Sequence, residues 1–148
     1  MAISIGAQAA PVRGADVDGP HALVFYKVTC GVTEMATPAI ERLAQAYPGR
    51  VVGVGQDPQS QLNDFAATHG FSFPQVPDLE PYTASDGYAI TSAPTAVVVN
   101  AEGSVAAVAE SWDREAWNHL SAVLAGLVGV DATVVSEPED GLPDFKPG

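Results

Sequence analysis

Residues 21–28 read HALVFYKV, a continuous apolar and aromatic run that gives way at Cys30 to helical spacing. No other feature constrains the chain as much. A run of this length and composition fits a strand buried on both faces. Beyond Cys30, the residues Ala36, Ala39, Ile40, Leu43, Ala44 and Tyr47 fall on one helical stripe, which stops at Pro48-Gly49. Pro38 lies inside that pattern and predicts a kink in the second turn. RVVGVG (50–55) then reads as a second buried strand. Strand, helix and strand in this order form a right-handed βαβ unit, whose sheet is expected to be covered by helices on both faces.

The remaining segments fit around that unit. Asp57 is the expected N-cap of a second helix, with Pro58 at its first position, Gly70 as its stop, and Leu62, Phe65 and Ala66 facing one way. FSFPQV (71–76) alternates, as a short strand or an extended connection does. Residues 77–93 are rich in Pro, Ser, Thr and Asp, with one helical turn expected around Ser85–Ala89. Residues 94–111 read as a hairpin turning at Asn100-Ala101-Glu102-Gly103, with Gly where positive φ is wanted. A last helix begins near Ser111 or Asp113 and should bury Trp117, Leu120, Leu124, Leu127 and Val128. From Asp131 the chain turns acidic and rich in Pro and Gly. It reads as an extended tail, 131–148, docked in part through Val134, Val135 and Phe145. The fold class is α/β: a mixed central sheet flanked by helices, over residues 1–130.

Composition narrows the function classes. The 148 residues suit one domain, and 47% hydrophobic against 16% charged residues supports a substantial core. Eighteen acidic and six basic residues give a formal charge of −12, a field that repels phosphate backbones and anionic lipid. Neither nucleic acid nor a membrane surface is an expected partner. The N-terminal MAISIGAQAAPVRG lacks the basic and apolar regions of a signal peptide, so a cytoplasmic location is expected. A single cysteine leaves no intramolecular disulfide, which fits a reducing compartment. His21, His69 and His119 lack ligand spacing, and no metal or other cofactor is expected. Gly53 and Gly55 in VVGVGQD lack the full phosphate-loop pattern and read as packing positions. Trp117 reads as a core anchor. Trp112 reads as a contact at the helix start, or as a partner patch if it is exposed.

Several landmarks in order resemble a known family. They are Ile5-Gly6 with Ala10-Pro11 and Asp18-Gly19, Phe25-Tyr26 before Cys30, and Pro38 eight residues after Cys30. Gly70-Phe71 with Phe73-Pro74 follows, and then Tyr88-Ala89-Ile90 with Ala93-Pro94-Thr95. Together they resemble the thioredoxin-like redoxins, close to the TlpA-like thiol-disulfide oxidoreductases and the neighbouring peroxiredoxins. The resemblance implies a thioredoxin-like fold, a redox site at Cys30, and a cis-proline at Pro94 shaping a substrate groove with Thr29, Gly31 and Ala93. The chain also departs from that pattern. The CxxC of the dithiol members is here Cys30-Gly31-Val32-Thr33, Thr29 replaces the usual tryptophan, and Val24 replaces a buried acid. The peroxiredoxin cysteine would align near Thr33, and Lys27 stands where that family has proline.

A cysteine where a strand meets a helix faces the helix's first free N–H groups and the positive end of its dipole, and both favour thiolate. Thr33, one turn on, is placed to donate its hydroxyl to the sulfur. The resulting nucleophile can form a mixed disulfide but has no second thiol to expel the product. Three readings follow. The leading one is a monothiol redox protein with Cys30 and Thr33 as catalytic residues, acting on a thiol or disulfide of a protein or of glutathione and resolved by an external thiol. The second is a non-catalytic interaction module that has lost its dithiol site. The third is a one-cysteine peroxidase, for which the motif spacing is wrong.

Overall fold

The apolar run ends up where its composition requires, at the centre of a sheet. A computed structural model describes all 148 residues. The chain runs β1 (His21–Tyr26), α1 (Gly31–Ala46), β2 (Val51–Gly55), α2 (Gln59–His69), β3 (Gln75–Pro77) and α3 (Thr83–Gly87). It continues through β4 (Thr95–Val99), β5 (Val105–Glu110), β6 (Trp112–Asp113), α4 (Arg114–Val128) and β7 (Phe145–Lys146). The main sheet has the order β3-β2-β1-β4-β5, with β1, β2 and β3 parallel, β4 antiparallel to β1 and β5 antiparallel to β4. Thus βαβ unit and hairpin share one sheet, as the sequence pattern requires.

The two-residue alternation of β1 divides the core. Ala22 and Val24 pack with Ala36, Ile40 and Leu43 of α1 and with Trp117, Leu120 and Leu124 of α4. Leu23 and Phe25 face the other way, with Val52, Val97, Tyr88 and Val12. That second face is closed by the N-terminal segment, through Ile3, Ala9, Ala15 and Val17, as well as by α3. The same segment pairs along the hairpin through Gly6 N to Val105 O (2.8 Å) and Ala9 N to Gly103 O (2.8 Å), which shields the free edge of β5. A smaller cluster of Tyr26, Leu62 and Phe65 lies under α2. Gly53 and Gly55 are indeed packing positions. A Cβ on Gly53 would collide with the Gln75 side chain, and one on Gly55 with Leu62.

Two expectations about the helices change. Pro58, not Asp57, is the N-cap of α2. Asp57 instead turns its carboxylate to the Val28 amide, 2.9 Å away, and ties down the loop after β1. In α4 the buried residues beside Trp117, Leu120 and Leu124 are Ser121 and Ala125, while Leu127 is exposed. The 3.6-residue period carries the stripe toward the i+4 side, so the half-buried Val128 packs against the core while Leu127 turns out. Asp113 caps this helix, accepting from Ala116 N at 3.2 Å.

The tail differs most from its compositional reading. Val135 is fully buried, but Val134 and Phe145 are exposed, so hydrophobic docking rests on Val135 with the partly buried Leu142. Polar bonds do the rest. Asn118 accepts from Val135 N (2.8 Å) and Ser136 N (3.2 Å) and donates to Ser136 O (2.9 Å). The buried Arg114 donates to Ser136 Oγ (3.0 Å) and Leu142 O (2.6 Å) and pairs with Asp140 (3.5 Å) and Asp144. Trp112, fully buried and no partner patch, donates from Nε1 to Pro143 O at 2.7 Å. The chain then pairs β7 antiparallel to β6. The segment expected to dock in part is built onto the domain along most of its length.

Candidate functional site

The topology brings together two segments far apart in sequence. β1 and β4 are antiparallel neighbours, with Phe25 opposite Thr95, so the loop leaving β1 and the loop entering β4 lie side by side. The first loop ends at Cys30, the N-cap of α1, whose amide donates to Lys27 O (3.2 Å) and whose carbonyl accepts from Glu34 N (3.1 Å). The second contains the cis Ala93–Pro94 peptide and is braced by Thr95 Oγ1 donating to Ser92 O at 2.9 Å. Across the gap the Cys30 thiol donates to the Ala93 carbonyl, with Sγ 3.4 Å from the oxygen. The sulfur-bearing residue is half-buried, neither sealed in the core nor free on the surface.

A cavity of about 390 Å³ opens beside this contact. Thr29, Cys30 and Ala93 line it, together with Lys27, Ser92 and Gly148. Gly31 is exposed at the first position of α1, and Pro94 is buried behind Ala93, so neither forms the cavity wall. Tyr26 also lines the cavity and donates to Gln75 Oε1 at 2.7 Å. Burial, and then the negative charge of Asp57, push its phenol well above the ordinary range, so it remains a neutral hydrogen-bond donor.

Thr33 does not play the part drawn for it. It is fully buried, and its Oγ1 has no hydrogen-bond partner, so the expected bond to the Cys30 sulfur is not made. The helix turns its side chain inward, into the place a resolving thiol would occupy. An unpaired buried hydroxyl is a cost, and removing it should help. Thr33→Val is expected to raise stability by about 1 kcal/mol, or roughly 2–4 °C in the thermal midpoint, while thiol exchange at Cys30 changes little. Thermal denaturation followed by circular dichroism, with a thiol-labelling rate on the same samples, checks both parts.

Pattern reading did not find Gly148 in the cavity wall. Composition marks residues 131–148 only as tail, and no motif relates them to Cys30.

No protein-family model matches the sequence, and no curated protein matches it. Solved structures do. A secreted Mycobacterium tuberculosis disulfide oxidoreductase, described as homologous to E. coli DsbE, is similar at 20% identity with a TM-score of 0.63, over 84% of this chain and 96% of that one. A DsbE-like thiol:disulfide interchange protein from Chlorobium tepidum is similar at 17% identity with a TM-score of 0.69, over 86% and 99%. The solution structure of a protein disulfide isomerase-like chain from Bacteroides thetaiotaomicron is similar at 17% identity with a TM-score of 0.72, over 86% and 91%. With the mixed five-stranded sheet, the cysteine at the start of α1 and the cis-proline opposite it, these likenesses show that the chain has the thioredoxin-like fold.

Proposed function

We propose that this protein carries out thiol–disulfide exchange through Cys30 alone. One observation carries the reading: Sγ sits at the amino end of α1, 3.4 Å from the carbonyl before the cis-proline, at the wall of an open cavity. That placement gives a disulfide an approach to the sulfur and a backbone edge to rest against. Similar structures described as disulfide oxidoreductases support the same chemistry.

In the first step the Cys30 thiolate attacks one sulfur of a disulfide RS–SR′. A Cys30–SR bond forms, the S–S bond breaks, and R′S⁻ leaves with the electron pair and takes up a proton from water. No second cysteine exists in the chain, so the mixed disulfide persists until an external thiol R″SH, as its thiolate, attacks the SR sulfur. RS–SR″ is released and Cys30 regains its electrons. The external thiol is the reductant, and we assign it to glutathione or a partner cysteine of a reducing, cytoplasmic compartment.

The test is mass spectrometry of the protein exposed to oxidised glutathione. The folded wild type should acquire one glutathione at Cys30, roughly ten-fold faster than the same chain in denaturant, and hold it until free thiol is added. Cys30→Ser should acquire none. A folded protein that reacts more slowly than the denatured chain would remove the redox reading and leave a binding module on the same fold.

A further inference from the structure

One wall of the cavity beside Cys30 comes from the C-terminal end of the tail. After Arg114 takes the Asp144 carbonyl on its amide (2.9 Å), the chain runs antiparallel to β6, with Asp113 opposite Phe145 and Trp112 opposite Lys146. It then reaches the cis-proline loop. The Gly148 amide donates to Ser111 Oγ at 3.2 Å, and Gly148 lies so close to Ala93 that a Cβ there would collide with the Ala93 carbonyl. This is the carbonyl that accepts from the Cys30 thiol. Gly148 forms part of the same cavity wall as Cys30.

Two independent features make this a built arrangement. The Ser111 backbone has a φ of 58°, a left-handed conformation that a serine adopts only when its surroundings enforce it. Here Trp117 Nε1 holds the Ser111 carbonyl at 2.9 Å, which leaves Oγ turned to the tail. The tail in turn is anchored upstream by the buried Arg114, through Leu142 O, Asp140 and Asp144. A glycine is the one residue that fits against Ala93, because the main chain itself is what lies there.

We propose that the docked C-terminal segment, through Gly148, covers the backbone edge beside Cys30, and that a disulfide-bearing peptide must displace it. The inference rests on the exchange function proposed for Cys30 and adds its control. A tethered strand competes at high effective concentration. A small disulfide needs only the sulfur, whereas a peptide needs the edge that Gly148 now covers. Selectivity for peptides thus depends on the tail leaving.

The experiment compares the full chain, full-length Asp144→Ala, and a chain ending at Pro143, which lacks only exposed residues. Each is reacted at Cys30 with iodoacetamide, with a 5-kDa polyethylene glycol maleimide, and with a ten-residue peptide carrying a glutathionylated cysteine. Near-ultraviolet circular dichroism confirms that the fold is kept. A tail docked nine-tenths of the time lowers access about ten-fold, so the shortened chain should react about ten-fold faster with the maleimide and the peptide. Asp144→Ala should fall between, and iodoacetamide should change less than about three-fold. Rate ratios between chains cancel the intrinsic nucleophilicity of Cys30, so they read the tail even if glutathione exchange fails. Equal maleimide and peptide rates in all three chains would overturn the proposal while leaving monothiol exchange standing. An equal increase for iodoacetamide would also overturn it, because the tail would then be shielding the sulfur and not a peptide edge.

Discussion

Thr33→Cys is expected to convert a protein that stops at a mixed disulfide into one that releases its product unaided. Residues three apart on a helix are neighbours, and a cysteine pair at that spacing falls within the separation a disulfide tolerates. Thr33 is fully buried and its hydroxyl has no partner, so a thiol placed there breaks no hydrogen bond. Cysteine behaves as a small hydrophobe and suits the site. In the variant, the second sulfur attacks the mixed disulfide within the same molecule. Well-oriented intramolecular attack has a large effective molarity. In a single turnover of the reduced protein with only micromolar external thiol present, release of the peptide from its mixed disulfide should therefore be about a hundred-fold faster than in wild type, leaving an internal disulfide behind. Mass spectrometry should also find the oxidised variant two hydrogens lighter. If the variant neither forms that internal bond nor releases the peptide faster than wild type, then the Thr33 position is not in line with Cys30, and the missing resolving thiol does not explain a stalled exchange.

The second large effect is expected at Arg114. This buried guanidinium is the centre of the tail's docking, bonded to Ser136, Leu142, Asp140 and Asp144. Removing one member of a buried ionic network strands the others, at a cost of about 3 kcal/mol. Arg114→Ala should therefore lower stability by that amount and free residues 136–148. The loss is measurable by urea denaturation and by hydrogen exchange of the tail amides. Trp112 reports the same event, since its indole loses the Pro143 carbonyl.

Acid should loosen the tail by the same route. Burial opposes ionisation of Asp140, yet the Ser136 hydroxyl, the Leu142 amide, Arg114 and Arg42 outweigh it and hold the carboxyl below its ordinary value of 3.8. The folded state thus binds that proton less readily than the unfolded chain does. Its contribution to docking is complete above the ordinary value and is lost as the pH falls through the lower, folded one. Trp112 near-ultraviolet dichroism followed from pH 6 downward should be flat until below pH 3.8. A transition near neutrality would mean that Asp140 is not the group that holds the tail.

The central architecture was legible because hydrophobic periodicity reports burial directly. β1 and β2 are unbroken apolar runs, and the α1 stripe from Ala36 to Tyr47 is buried as its spacing requires. Gly70 and Gly103 mark their turns with φ of 70° and 83°, because glycine pays no steric penalty there. The errors fall where two local options compete. Asp57 has the chemistry of a cap, but the amide of Val28, brought near by the fold, takes its carboxylate. Leu127 lies on the expected stripe, yet it is exposed while Val128 beside it packs on the core.

At the candidate site, the resemblance to the redoxins pointed to Cys30 and Ala93-Pro94 as its two halves. The meeting of Cys30 with Ala93, and the solitary state of Thr33 Oγ1, came from the tertiary structure. Sequence determines what is local: which segments must be hidden, where the backbone turns, and that one sulfur stands at the start of one helix. Only the assembled fold decided the long-range matters, because hydrogen bonds between distant polar groups leave no periodic trace. Arg114, one of six basic residues, carries no pattern marking it as a tail anchor. An acidic, proline-rich ending reads as docked only in part until a buried guanidinium and an indole N–H supply the partners that fold it back toward the cysteine.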